Sequence, residues 1–166
     1  MALTTFERLE QAAYDQSIEV FTAALPERLR GLFYDDGCIR VITLSAAIRT
    51  AAERLSTLAE ELGHHVVGGG NILFGNMPYA ARRQIEARAR AYAYGILIPV
   101  ARLLPYLRRN EPYWDIAEEF SVPQYFVEDA VKYYCTKGLI PYFGVWDEAC
   151  GEWRMPDEND GCDWGA

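Results

Sequence analysis

Phe6, Leu9 and Ala13 recur at helical spacing behind Thr4, and Thr4 with Glu7 forms a capping box, so the pattern predicts a first helix ending near Gln16. From Ile18 to Leu25 the period shortens to two, with Ile18 and Val20 alternating against Glu19, as in a strand. Leu29 to Leu44 reads as a hairpin in which Leu32-Phe33-Tyr34 and Cys38-Ile39-Arg40-Val41-Ile42 flank an Asp36-Gly37 turn. The helical period then returns through Ala46, Ile48, Ala52, Leu55, Leu58, Ala59 and Leu62. Ser45 is placed to cap this helix and Gly68-Gly69-Gly70 to stop it. A polar, glycine-rich loop leads to another long helix, from about Tyr79 to Leu97, closed by Pro99. It carries Arg82, Arg83, Arg88 and Arg90 on one side and Ile85, Ala89, Tyr92 and Ile96 on the other.

A shorter helix is expected from Val100 to Arg109, kinked at Pro105. Two compact helices follow: Tyr113 to Phe120, opened by Asn110 and Pro112, and a second capped by Ser121, with Pro123 in its first turn and Gln124 completing a capping box. This order predicts an α+β domain, a small antiparallel sheet packed on helices. A helical hairpin over 110–137 completes a domain of residues 1–138, and 139–166 form a tail.

Charge sharpens that division. The 166 residues carry a formal net charge of −8. Seven acids and one base follow Trp146, leaving 17 acids and 15 bases before it, so the tail is an acidic strip on a nearly neutral body. An acidic balance argues against a general nucleic-acid or anionic-membrane binder. Glu118 to Tyr134 has the length of a helix-turn-helix, but Glu128 and Asp129 offset Lys132 and Lys137, so no direct nucleic-acid contact is expected. No window approaches the roughly 18 apolar residues of a membrane span. The N-terminus lacks a basic region and a long apolar run, so the expected location is the cytoplasm. Cys38, Cys135, Cys150 and Cys162 lack a C-x-x-C spacing and read as reduced thiols, with a Cys150–Cys162 clamp on the tail as the alternative.

The chemistry concentrates at Glu60, Glu61, His64 and His65. The spacing is that of the zinc-peptidase pattern H-E-x-x-H with its first histidine replaced by Glu60. On a helix, positions 60 and 64 lie about 40° apart, so both side chains can approach one ion while Glu61 points at the same cleft. Zinc accepts carboxylate oxygen as well as imidazole nitrogen. The spacing equally suits two solvent-facing acids followed by two histidines favoured at a helix C-terminus. Other motifs carry less: Gly68-Gly69-Gly70 follows no strand and lacks a following Lys-Ser/Thr, and two adjacent histidines offer no Ser/His/Asp triad.

The wider pattern favours the functional site. Gly31-Leu32-Phe33-Tyr34-Asp35-Asp36-Gly37, Ala59-Glu60-Glu61-Leu62-Gly63-His64-His65, Arg88-Ala89-Arg90-Ala91-Tyr92-Ala93-Tyr94 with Leu97-Ile98-Pro99, Asp115 to Phe120, and Val127 to Tyr134 follow in that order. Together they resemble the ImmA/IrrE family of metallo-endopeptidases over about residues 5–138, most closely its phage and mobile-element members. The resemblance implies a zincin-like core, a zinc cofactor, and action on a protein substrate or regulator, in some members a helix-turn-helix repressor. It matches Glu61 to the general base and His64 to the second histidine ligand. Glu60 stands at the first-ligand position. The family's third ligand is an acid on the next long helix, where this chain offers Glu86, although the register that aligns Leu97-Ile98-Pro99 puts Arg88 there. The metal set read from the sequence is therefore Glu60, His64 and Glu86. The alternative is a metal-free interaction module that binds and antagonises a regulator, with Arg88 neutralising the Glu60/Glu61 pair.

Overall fold

The computed structural model describes residues 3–68 and 78–140, and the backbone of two short strands at 145–147 and 152–154. Helix α1 (Thr5–Asp15) starts on the expected box: the Thr4 hydroxyl accepts from the Glu7 N–H at 3.2 Å and Glu7 accepts from the Thr4 N–H at 2.7 Å. Strands β1 (Glu19–Ala23), β2 (Gly31–Asp35) and β3 (Arg40–Ser45) form one sheet in the order β1-β3-β2. The hairpin turn is built as its sequence suggests. Asp36 Oδ1 accepts from the N–H groups of Cys38 and Ile39 at 2.9 and 2.8 Å, and Gly37 takes a φ of +86° that favours glycine.

The sheet is mixed rather than antiparallel. β2 and β3 pair antiparallel, with Phe33 opposite Ile42, but β1 runs parallel to β3, with Val20 opposite Ile42. Apolar alternation marks which face of a strand is buried and carries no information on strand direction. Here residues 24–30 carry the chain past β3 before the hairpin begins, which puts β3 in the centre and leaves β1 and β2 outside.

Helix α2 (Ala51–Val66) packs Leu55, Leu58, Ala59 and Leu62 against the sheet residues Phe33, Ile42 and Leu44. Thr50, not Ser45, caps it, accepting from the Glu53 N–H at 3.1 Å. Ser45 is still paired in β3 opposite Ala23, and its own N–H bonds the Arg30 carbonyl at 2.8 Å. The helix cannot begin until the chain has left the ladder. Of the glycines expected to stop α2, Gly68 takes a φ of +73°, while Gly69 and Gly70 lie outside the described residues, as does most of the loop after them.

Helix α3 (Tyr79–Leu97) crosses α2 with Ala89, Ala93, Tyr94 and Leu97 buried and Arg83, Arg88 and Arg90 exposed. At the crossing, Gly63 of α2 meets the Ala89 backbone so closely that a Cβ on Gly63 would collide with the Ala89 carbonyl oxygen. Helix α4 (Val100–Arg108) runs through Pro105 without a break, and α5 (Tyr113–Phe120) and α6 (Gln124–Thr136) form the helical hairpin. Ser121 ends α5 in the left-handed region, φ +55°, and α6 is opened by Pro123. The expected Ser121 N-cap is thus a C-cap: only three residues separate the helices, and the reversal needs a left-handed residue there. The hairpin is tied to α3 by the Tyr134 hydroxyl, which donates to the Ile98 carbonyl at 2.9 Å. Burial pushes the Tyr134 hydroxyl up to about 12. Strands β4 (Val145–Asp147) and β5 (Glu152–Arg154) pair antiparallel. The acidic strip as a whole and the Cys150–Cys162 clamp lie outside the described residues. Among those described, no helix is long and apolar enough to cross a membrane.

Candidate functional site

The last two turns of α2, the middle of α3 and the outer edge of β2 meet at one place. Helical spacing puts Glu60 and His64 on the same side of α2, and α3 brings Glu86 opposite them. His64 Nε2 and Glu86 Oε2 lie 3.4 Å apart. The two-residue offset between Glu86 and Arg88 decides which of them faces α2. Glu86 turns inward, whereas Arg88 is exposed. The cations acting on the acids of the site are Arg90, beside Glu60 and Glu86, and Arg82, beside Glu86. Arg90 also hydrogen-bonds the Tyr94 hydroxyl, one turn along the same face of α3. Asp129 of α6 lies close enough to act on both Glu60 and Tyr94, so the hairpin contributes to the electrostatics of the site.

Glu61 is held by the sheet. Its carboxylate accepts from the backbone N–H of Phe33 in β2. The Arg30 carbonyl points toward β3, where it meets the Ser45 N–H, so alternation turns the Phe33 N–H outward, toward α2. Gly31 makes this approach possible. A Cβ on Gly31 would stand 2.5 Å from Glu61 Oε1 and 2.7 Å from the Thr57 methyl carbon. The glycine of Gly31-Leu32-Phe33-Tyr34 therefore has a job at the site, not at the turn.

The electrostatics follow from crowding three acids around one imidazole in a partly dry space. Burial pushes the Glu61 carboxyl up to about 7, with His64 working against the rise and Glu60 and Glu86 adding to it. Burial also raises Glu60, partly offset by Arg90 and His64. Burial disfavours the charged form of His64. The hydrogen bond to Glu86 and the charges of Glu61, Glu86 and Glu60 outweigh it, so His64 sits above the ordinary histidine value. Glu86 is lowered, first by its hydrogen bond with His64.

His65 turns away. Its Nε2 lies 3.1 Å from Gln16 Oε1 and its ring packs edge-on against Phe33 at 5.4 Å, so it braces α2 against α1 and the sheet.

The donors present suit zinc by kind: one imidazole with carboxylates within reach, and a His64 Nδ1 that is buried without a hydrogen-bond partner. Among the described residues no three His, Cys, Asp or Glu side chains stand in a coordinating cluster. As arranged, His64 spends its Nε2 on Glu86.

Sequence reasoning named Glu60, Glu61, His64 and Glu86. It did not anticipate the Phe33 N–H, the contact of Gly31 with Glu61, or the Arg90–Tyr94 and Asp129 flank. Gly31, Arg90 and Tyr94 were visible inside the motifs. Asp129 had no signal, because only the packing of α6 brings it close.

The sequence profile of the IrrE N-terminal-like domain matches residues 13–132, which include every residue of this site. No curated protein matches the chain. Among solved structures, a Mycobacterium tuberculosis transcriptional regulator has a similar fold, with a TM-score of 0.60 at 15% identity. The similarity covers 80% of this chain and 42% of that one, so the chain spans less than half of the regulator's length. The profile covers more than two thirds of the sequence, and the chain belongs to the ImmA/IrrE family of metallopeptidase domains.

Proposed function

We propose that the chain is a zinc-dependent endopeptidase whose substrate is a regulatory, repressor-like protein. The observation that carries the reading is the pairing of His64 with Glu86 beside Glu60 and Glu61, within a chain of this family. Glu60, His64 and Glu86 would hold the ion. Zinc bound there would polarise a peptide carbonyl and lower the pKa of water.

The remaining work falls to the protein. Glu61, whose carboxyl is raised by burial in the metal-free chain, is the group placed to take a proton from water and return it, as a general base followed by a general acid. The Phe33 N–H fixes its carboxylate. Strand β2 is an edge strand of the described sheet and lies next to Glu61, so its outer backbone groups other than the Phe33 N–H would take an extended substrate segment as an added strand.

A second reading is a metal-free module that binds a regulator and antagonises it. Its support is Arg90, which already supplies positive charge beside Glu60, the residue that departs from the histidine pattern. Zinc analysis of protein purified without chelator separates the two. About one equivalent of zinc is expected, and Glu61→Gln should keep it while losing cleavage. Metal well below one equivalent, unchanged on adding zinc, would overturn the enzyme reading in favour of the second.

A further inference from the structure

The outer edge of the sheet away from Glu61 carries a feature that catalysis does not use. An open groove of about 510 Å³ runs between α1 and β1. Its floor is the buried Ile18. Its walls are Glu10 and Tyr14 from α1 and Glu19 and Phe21 from β1. Phe21 is 50% exposed and Tyr14 75%, so two aromatic rings stand open beside acids. Glu19 and Phe21 share one face of β1 by the period of two. β1 has no further strand on its outer side among the described residues.

We propose that this groove is a docking site for an extended, basic segment of another protein, with a large apolar residue seated against Tyr14 and Phe21. Charge chooses the occupant. Glu7, Glu10 and Glu19 line the groove and no Lys or Arg does. The acidic tail of this same chain is repelled. A second copy paired edge to edge is disfavoured too, because Glu19 on the edge strand would meet its own copy there. Nucleic acid is excluded by the same sign. A strand of five residues offers room for a segment of similar length, with backbone pairing along β1 supplying part of the affinity and the acids selecting Lys and Arg. The site lies on the opposite edge of the sheet from β2, so it would hold a partner without occupying the cleft at Glu61.

The test uses the full chain and three labelled ten-residue peptides: alternating Lys and Leu, alternating Glu and Leu, and alternating Lys and Ser. The Lys/Leu peptide should bind best, weaken with added salt, and shift the amide resonances of residues 18–21 and of α1. Reversing two acids, Glu10→Lys with Glu19→Lys, should weaken it about tenfold, as expected for losing attraction and adding repulsion at partly exposed charges. Phe21→Ser should weaken it severalfold without changing the salt dependence. Glu7 is left intact because it caps α1. Melting curves establish that both variants fold, and Glu61→Gln should bind as the parent does. Equal binding of the Glu/Leu peptide, resonance shifts confined to α2 and β2, or self-association that fills the groove would each overturn the proposal.

Discussion

His64 of α2 and Glu86 of α3 face one another across the helix pair, with 3.4 Å between Nε2 and Oε2. Through this contact two helices share one charge balance. Glu86 is kept ionised by the imidazole, and the imidazole is kept protonated to higher pH by Glu86. Replacing Glu86 with Gln removes the first favourable influence on His64 and leaves burial opposing its charge. The His64 ring should then titrate at lower pH in metal-free protein, followed by imidazole ¹⁵N shifts. An unmoved midpoint would mean that Glu61 and Glu60 alone govern His64.

Glu61 predicts how stability varies with pH. Its folded value of about 7 lies above the ordinary 4.5, so the folded state favours the protonated form. The penalty for ionising it is absent below about pH 4.5 and complete above about pH 7, amounting to roughly 3 kcal/mol at about 1.4 kcal/mol per unit. His64 acts in the same direction, since a raised histidine stabilises below its unfolded value and loses that contribution as pH rises through its folded value. Metal-free protein should therefore melt at lower temperature at pH 8 than at pH 5.5. Glu61→Gln should flatten the slope; an identical slope in the variant would refute the burial of Glu61. Glu86, being lowered, acts at the other end and loses its contribution as pH falls below about 4.5.

Two glycines of the site should respond differently to alanine. At Gly63 the added methyl meets the Ala89 backbone carbonyl, so α2 and α3 must separate. A loss of about 1–3 kcal/mol in denaturant unfolding is expected. At Gly31 the methyl meets side-chain atoms, Glu61 Oε1 at 2.5 Å and Glu61 Cγ and the methyl of the buried, β-branched Thr57 at 2.7 Å, of which only the Glu61 carboxylate swings away freely. Gly31→Ala should cost less stability than Gly63→Ala and in addition shift the titration of Glu61 and, if the chain cleaves peptides, reduce the turnover rate. Equal stability losses at both positions would show that β2 cannot hold its place once the contact is broken.

Ser121 sits at φ +55° between α5 and α6. A non-glycine residue there is strained, so Ser121→Gly should stabilise the protein by about 1 kcal/mol, while Ser121→Ala should be close to neutral. An N-cap role would give the reverse order of magnitude, with Ser121→Ala costing about 1 kcal/mol and the glycine a few tenths. Thermal melts of the two variants distinguish these roles.

Much of the fold was legible in the chain because it depends on local periodicity. The helix of Thr5–Asp15, the Asp36-Gly37 turn and the boundaries of Tyr79–Leu97 are fixed by capping residues, turn chemistry and spacing that act within a few positions. The family was legible for a related reason: its motifs are runs of neighbouring residues that keep their order. The direction of β1, the true cap at Thr50 and the left-handed Ser121 were not, because each is set by what the chain must reach next.

The same division runs through the site. Sequence alone put Glu60, Glu61 and His64 on one helix, since helical spacing determines which side chains can share a face. It could not choose between Glu86 and Arg88, two residues and about 200° apart on α3. That choice rests on the rotation of α3 about its axis, which the close meeting of Gly63 with Ala89 sets. It could not supply the Phe33 N–H either, because a backbone donor leaves no mark in the sequence and becomes a contact only when β2 reaches α2 at Gly31. The chain's own order thus decides which acids and histidines are available. Helix crossing and strand approach decide which of them meet.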